Sequence, residues 1–269
     1  MISFVGAGPG APDLITLRGA NRLAAADVVI WASSLVPEAV LDHTHPGVEL
    51  HDSATMTLED VTHVYASHPD AAIVRLHSGD PSLYGAVQEQ VAWCLAHERS
   101  WEIVPGVTSL AAAAAAIGRE LTIPRVSQSV VMTRLAGRTS ASMPPLESVG
   151  RFAASGATMA VFLSGARPAE LERELLSPGT AYTADTPAVI VIRASWPDER
   201  VVRTTIGSLA ADLAATGATM TVLVLVGEAM RDTDPQARSH LYAPEYAHSY
   251  RKRSRNGSTA GRPVTRRPQ

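Results

Sequence analysis

A single cysteine in 269 residues rules out any disulfide within the chain and fits a reducing compartment. That residue, Cys94, lies in a helix-like stretch, 86–99, where a thiol is more often packed than reactive. Long apolar runs are also missing. No segment reaches the roughly 18 residues a membrane-spanning helix needs, and the alanine run 111–116 ends at Arg119-Glu120. The first residues carry no basic region leading into an apolar stretch, so no signal peptide is expected and the protein should be cytoplasmic. Nor is there an excess of one charge. A formal net charge of -3 excludes binding of nucleic acid through bulk charge, so an acidic ligand needs a local cluster of arginines. Metal-ligand spacing is absent, and so is a convincing Ser/His/Asp or Cys/His set, so no metal is expected.

What remains is the composition of a protein with a substantial core, 46% hydrophobic and 18% charged. Short β-branched runs alternate with helical spacing, which predicts an α/β fold. Strands are expected at 2–5, 28–31, 48–51, 72–76 and 101–104, with helices at 14–26, 58–67, 86–99 and 109–118. The stretch 119–124 has no period and ends in proline, so it connects this series to a second one. There the strands are expected at 129–133, 158–163, 188–193, 201–205 and 219–226, with helices at 168–176 and 206–215. The reading is an N-terminal α/β domain over 1–120, a C-terminal α/β domain over 121–230, and a basic tail over 231–269. Arg251, Lys252, Arg253, Arg255, Arg262, Arg266 and Arg267 sit there among Gly, Ser, Thr and Pro, a composition expected to stay disordered or to contact a partner.

Gly6-Ala7-Gly8-Pro9-Gly10-Ala11 follows the first strand and has the spacing of a dinucleotide-binding loop. Three details oppose a nicotinamide or flavin cofactor. Pro9 removes a backbone N–H from the loop. Pro12-Asp13 delay the helix on which a pyrophosphate would rest. The second strand ends in Trp31-Ala32-Ser33-Ser34, without the ribose-binding acid. The glycines serve equally a tight turn or the close approach of the main chain to a bulky ligand.

A second loop, Ser78-Gly79-Asp80-Pro81-Ser82-Leu83-Tyr84-Gly85, follows an apolar strand. By itself it is either a turn with an N-cap or a ligand loop with an acceptor in Asp80. A third, Pro105-Gly106-Val107-Thr108-Ser109, follows the fifth expected strand. Taken in order, with Asp13-Leu14-Ile15-Thr16 after the first, these loops resemble the tetrapyrrole methylases over about residues 2–228. Further segments resemble the branch acting on precorrins in cobalamin biosynthesis. They are Ala32-Ser33-Ser34-Leu35-Val36-Pro37, Leu76-His77-Ser78-Gly79-Asp80, Gln128-Ser129-Val130-Val131-Met132-Thr133-Arg134, Gly137-Arg138 and, above all, Arg193-Ala194-Ser195-Trp196-Pro197-Asp198-Glu199-Arg200.

The resemblance implies two α/β domains of the class III methyltransferase type with the cofactor in the cleft between them. It implies S-adenosylmethionine as cofactor, a tetrapyrrole as substrate and a homodimer. Cofactor contacts are then expected from Pro9, Ser78, Gly79, Asp80, Leu83, Thr108 and Ser109, and in the second domain from Leu163, Ser164 and Ala194. A ring fringed with carboxylates suits forked guanidinium groups. Arg134, Arg138 and Arg193 are the substrate candidates, with Arg119 and Arg125 near the domain connection. His77 and Tyr84 flank the second loop and are candidates for moving a proton. A different tetrapyrrole, a nucleotide-cofactor oxidoreductase and a non-catalytic binding protein remain as alternatives.

Overall fold

The computed structural model describes residues 1–136, 143–144, 146–231, 239–243 and 246–249. Strand β1 (Ile2–Gly6) is buried along its whole length because strands pair with it on both sides. With β2 (Val28–Trp31), β3 (Glu49–Asp52), β4 (Ile73–His77) and β5 (Trp101–Val104) it forms a sheet of order β3-β2-β4-β1-β5. Every pairing in it is parallel. Such a sheet needs cover on both faces. One face packs Ile2, Phe4, Ile30 and Ile73 with Tyr65, Val91 and Cys94, from helices α2 (Leu58–Ser67) and α3 (Val87–Ala96). The other packs Val5, Val29 and Leu76 with Leu23, from α1 (Leu17–Ala24).

The second sheet follows helix α4 (Ser109–Ala116) and has the order β6-β7-β10-β8-β9. Its strands are β6 (Val130–Arg134), β7 (Thr158–Phe162), β8 (Pro187–Ile192), β9 (Arg200–Thr205) and β10 (Val222–Val226). Only β6 and β7 pair in parallel; the other pairings are antiparallel. Helices α5 (Val149–Ala153), α6 (Pro168–Leu175) and α7 (Leu209–Ala215) bear on this part, with Val149, Leu171 and Leu209 in the core of one sheet face. The opposite face is closed by α4, whose Ala112 and Ala113 pack with Ala160, Val191, Leu223 and Leu225. Small side chains let the helix lie close on the strands, so a helix from the first α/β series seals the sheet of the second.

Several elements depart from their expected bounds. The first helix begins at Leu17 instead of residue 14. Residues Pro12–Leu14 form a separate 3-10 turn, and the Thr16 hydroxyl accepts the N–H of Gly19 as an N-cap. The expected helix 206–215 opens with a 3-10 turn, Ile206–Ser208, before α7. The last strand starts only at Val222, because Thr221 has a φ of +51° and turns the chain there. Helix α5, capped by Ser148, had no counterpart in the expected elements. No helix among the described residues is long and apolar enough to cross a membrane. Of the basic tail, a 3-10 turn at His240–Tyr242 is described, while the arginine-rich run 251–267 lies outside the described residues.

Candidate active site

The chain leaves β1 for β2 on one side and β4 for β5 on the other, so the order of the first sheet reverses beside β1. In open α/β sheets ligands bind at such a point, outside the carboxyl ends of the strands. The three glycine-containing loops emerge there and are stitched together by backbone. Ala7 N–H donates to His77 O at 2.8 Å, and Gly8 and Gly79 exchange N–H···O bonds of 3.3 and 2.8 Å. No side chain fits between them: a Cβ on Gly6 would stand 2.5 Å from Gly106 Cα and 2.6 Å from Gly79 O.

Asp80 holds the third loop to the second. Its carboxylate accepts the N–H of Gly106 at 2.8 Å on one oxygen and the N–H of Ser82 at 2.8 Å and the Ser82 hydroxyl on the other. Desolvation would raise its pKa, yet these hydrogen bonds outweigh it and hold the carboxyl below the usual carboxylate value. Thr108 is likewise engaged, as the N-cap of α4, accepting the N–H of Ala111 at 3.2 Å.

Opposite these loops stand the residues that end β7 and β8 and precede β10. Between the two walls lies a cleft of about 400 Å³. Its lining is mostly apolar, with Pro9, Leu35, Leu83, Phe162, Val191 and Leu223 among the contributors. Leu163 and Arg193 (φ +52° each) and Thr221 (φ +51°) all border it in the left-handed region. Such outliers cluster at ligand sites, where the surrounding structure over-determines them.

The sequence model of the "Tetrapyrrole (Corrin/Porphyrin) Methylases" matches residues 1–210. The chain belongs to the tetrapyrrole methylases. It is 42% identical over 254 residues to the precorrin-4 C(11)-methyltransferase of Sinorhizobium sp, covering 94% of this chain and 98% of that one. Among solved structures it is similar to a cobalt precorrin-4 methyltransferase of cobalamin biosynthesis, CbiF, with a TM-score of 0.81 and 40% identity over 86% of this chain and 95% of that one. It is also similar to the uroporphyrin-III C-methyltransferase from Thermus thermophilus complexed with S-adenosylhomocysteine. There the TM-score is 0.70 and the identity 29%, over 85% and 97% of the two chains. The fold is accordingly that of the class III methyltransferases, with two α/β sheets facing one cleft.

In this methylase the cleft gathers Pro9, Ser78, Gly79, Asp80, Leu83, Thr108, Ser109, Leu163 and Ala194, the residues singled out from its sequence. Ser164 stays out of the lining; it is fully buried and its hydroxyl donates to Val161 O at 3.4 Å. Arg193 borders the cleft with its guanidinium 3.9 Å over the Trp196 ring and its Nε 2.6 Å from Asp198 Oδ1. Arg134 ends β6 in register with Phe162, outside the lining but within electrostatic reach of Tyr84. Arg138 lies outside the described residues. Arg119 donates to the carbonyls of Ala229 and Arg231 and so ties α4 to the segment after β10.

The two proton-transfer candidates part company. Tyr84 stands at the cleft, whereas His77 does not reach it. His77 is buried beside Phe4, and its Nε2 has no hydrogen-bond partner among the described residues. Burial above all, then the charge of Arg75, pushes its pKa down to about 3. The ring is therefore neutral at ordinary pH. Leu35, Phe162, Gly165, Met220 and Thr221 also line the cleft, and none had been expected there. Met220 and Thr221 had been read into the last strand, and no local signal separates them from it. Among the described residues no cluster of His, Cys, Asp or Glu is arranged to hold a metal ion.

Proposed function

We propose that this methylase is an S-adenosylmethionine-dependent C-methyltransferase that methylates a precorrin-4 ring at C-11 in cobalamin biosynthesis. The observation that carries this reading is the convergence on one cleft of the Pro9 loop, the Ser78–Asp80 loop, Thr108 and Ser109 with Leu163 and Ala194 of the opposite sheet. About 400 Å³ falls in the range of small-molecule sites. The glycine-only junction brings main-chain groups to the surface of the cleft, which suits a ligand with an adenine, a ribose and an amino acid portion. The names of the relatives supply the ring and the position on it.

S-adenosylmethionine, when bound, supplies an already activated methyl group, so the protein need not form a covalent bond of its own. The work left to the chain is to align and to exclude water. Pro9, Leu83, Leu163 and Val191 provide apolar walls, and the loops held by Asp80 fix the cofactor against the ring carbon. Methyl transfer requires the reacting atoms within roughly 3–3.5 Å and in line, and such positioning alone accounts for a large part of a rate enhancement. Arg193, Arg134 and Arg138 are assigned to the carboxylates of the ring. A homodimer belongs to the same reading through the family resemblance, and a cytoplasmic location through the sequence pattern of the N-terminus.

Calorimetric titration with S-adenosylhomocysteine, with NADH and FAD as controls, tests the cofactor. Saturable binding of S-adenosylhomocysteine alone is expected; binding of NADH instead would sink the reading. Single-turnover assays with precorrin-4 and with cobalt-precorrin-4 then decide between the metal-free and cobalt-bearing rings, since relatives with both names exist.

A further inference from the structure

Tyr84 is held at the cleft in a conformation its loop imposes. Its φ is +58°, in the left-handed region that bulky residues rarely enter, and Ala86 follows with +48°. The loop has little freedom to relax. Leu83 N–H donates to Asp80 O at 3.1 Å, Ser82 is bonded to the Asp80 carboxylate, and Gly85 packs on Pro81 with no room for a side chain. The ring so presented is 49% exposed, and it leans on Phe162 of the opposite sheet at a centroid distance of 5.3 Å and a tilt of 54°. Among the described residues its hydroxyl has no hydrogen-bond partner.

Three other large apolar side chains stand exposed at the same cleft, each from a different loop: Leu35 at 43%, Leu163 at 64% and Met220 at 67%. A group of exposed apolar side chains at one opening marks a binding surface. Beside it lies Arg134, the cross-strand partner of Phe162 and close enough to the phenol to act on it electrostatically. An aromatic face within electrostatic reach of a guanidinium matches a flat ring that carries carboxylates on its rim.

We infer that Tyr84 is the face on which the tetrapyrrole ring stacks, with Phe162 as the positioning residue that props it at the required tilt. The inference rests on the methyltransferase reading and assigns a ring-contacting role to a side chain first considered for proton transfer.

The test is a set of steady-state methylation assays on Tyr84→Ala, Tyr84→Phe and Phe162→Leu, each accompanied by calorimetric titration with S-adenosylhomocysteine. Tyr84→Ala is expected to raise KM for precorrin-4 by about tenfold, the scale of a lost aromatic pair, while the Kd for S-adenosylhomocysteine stays within about twofold. Tyr84→Phe should rescue that KM, because stacking needs the ring and not the hydroxyl. Phe162→Leu should raise KM by a smaller factor. An unchanged ring KM in Tyr84→Ala overturns the inference. So does an equal loss of affinity for ring and S-adenosylhomocysteine, or a Tyr84→Phe variant as impaired as Tyr84→Ala. If the wild-type protein itself fails to bind S-adenosylhomocysteine, the underlying cofactor reading has failed, which is a separate and recognisable outcome.

Discussion

The indole N–H of Trp196 donates to the carbonyl oxygen of Pro9 at 3.0 Å, joining the loop after β8 to the loop after β1 across 187 positions of sequence. A second bond runs alongside, from Ala11 N–H to the Ser195 hydroxyl at 3.0 Å. The segment is braced from its own side as well. Arg193 lies over the indole, Asp198 binds Arg193, and the Glu199 carboxylate accepts the N–H of Ser195 at 2.6 Å. Residues 193–200 therefore clamp the two sheets at one end of the cleft. At Tyr84 and Phe162 a ring contact spans it.

Removing the indole N–H while keeping a ring for Arg193 isolates that bond. Trp196→Phe leaves Pro9 O without its donor, and a hydrogen bond of this kind contributes about 1 kcal/mol net. Affinity for S-adenosylhomocysteine is expected to fall about fivefold, read by calorimetry. Unchanged affinity would show that the clamp does not act on the Pro9 loop.

The glycine junction makes a comparison possible between two substitutions. In Gly106→Ala the new Cβ meets Gly6 Cα at 2.8 Å and Gly79 O closer still, and neither backbone can withdraw. In Gly79→Ala the nearest atom is 3.7 Å away, so only the left-handed φ of +66° opposes it. Chemical denaturation should show Gly106→Ala losing about 3 kcal/mol or more, as overpacked sites do. Gly79→Ala should lose about 1–2 kcal/mol. The reverse order would mean that the three loops are not packed as tightly as the geometry requires.

His77 predicts a pH dependence of stability. Its folded pKa, about 3, lies below the ordinary 6.5, so below pH 6.5 the unfolded chain takes up a proton that the folded protein refuses. Its cost is therefore absent above 6.5 and grows as pH falls from 6.5 toward 3. Across that window a full proton difference corresponds to a slope of about 1.4 kcal/mol per pH unit. Denaturant titrations of wild type and His77→Leu between pH 7 and pH 4 should show the slope flattened in the variant. Parallel curves would mean that His77 takes up its proton in the folded protein as well.

Asp80 acts in the same direction, at lower pH. Its depressed pKa means that its contribution is complete above the ordinary value of 3.8 and is lost as pH falls through the lower folded value. Asp80→Asn keeps a single uncharged acceptor oxygen and cannot accept from both Ser82 and Gly106, so the tie between the second and third loops is weakened at every pH. S-adenosylhomocysteine affinity at neutral pH is expected to fall by about tenfold, on the scale of a lost charged hydrogen bond. Wild-type affinity in this variant would show that the Asp80 tie between the second and third loops does not shape the cofactor site.

The positions of the strands were legible to within a few residues because runs such as Ile2–Gly6 and Val222–Val226 are largely apolar and stop at turn residues. The loops at their ends were legible as well, through Gly79-Asp80-Pro81 and Pro105-Gly106. Helix α5 was not, since five residues are too few for a helical period to show. Nor was the partner of α4. An alanine run is apolar all round and presents no single face, so its local sequence does not say which sheet it will cover. Trp196 could equally have covered a ligand or packed a domain edge. Its indole bonds to Pro9 and at the same time lines the cleft, so the structure brings both surroundings to one side chain.

By itself the sequence determined the α/β alternation, the loops that end the strands and the membership of a methylase family, because these depend on local periodicity and on short contiguous motifs. The tertiary structure decided which of those motifs meet. Gly6, Gly79 and Gly106 touch only because parallel pairing of β1 with β4 and β5 brings three strand ends level. Phe162, Met220 and Thr221 reach the cleft only because the second sheet faces the first. Contacts between distant residues depend on the closing of long chain segments and on packing, and no local pattern carries that information.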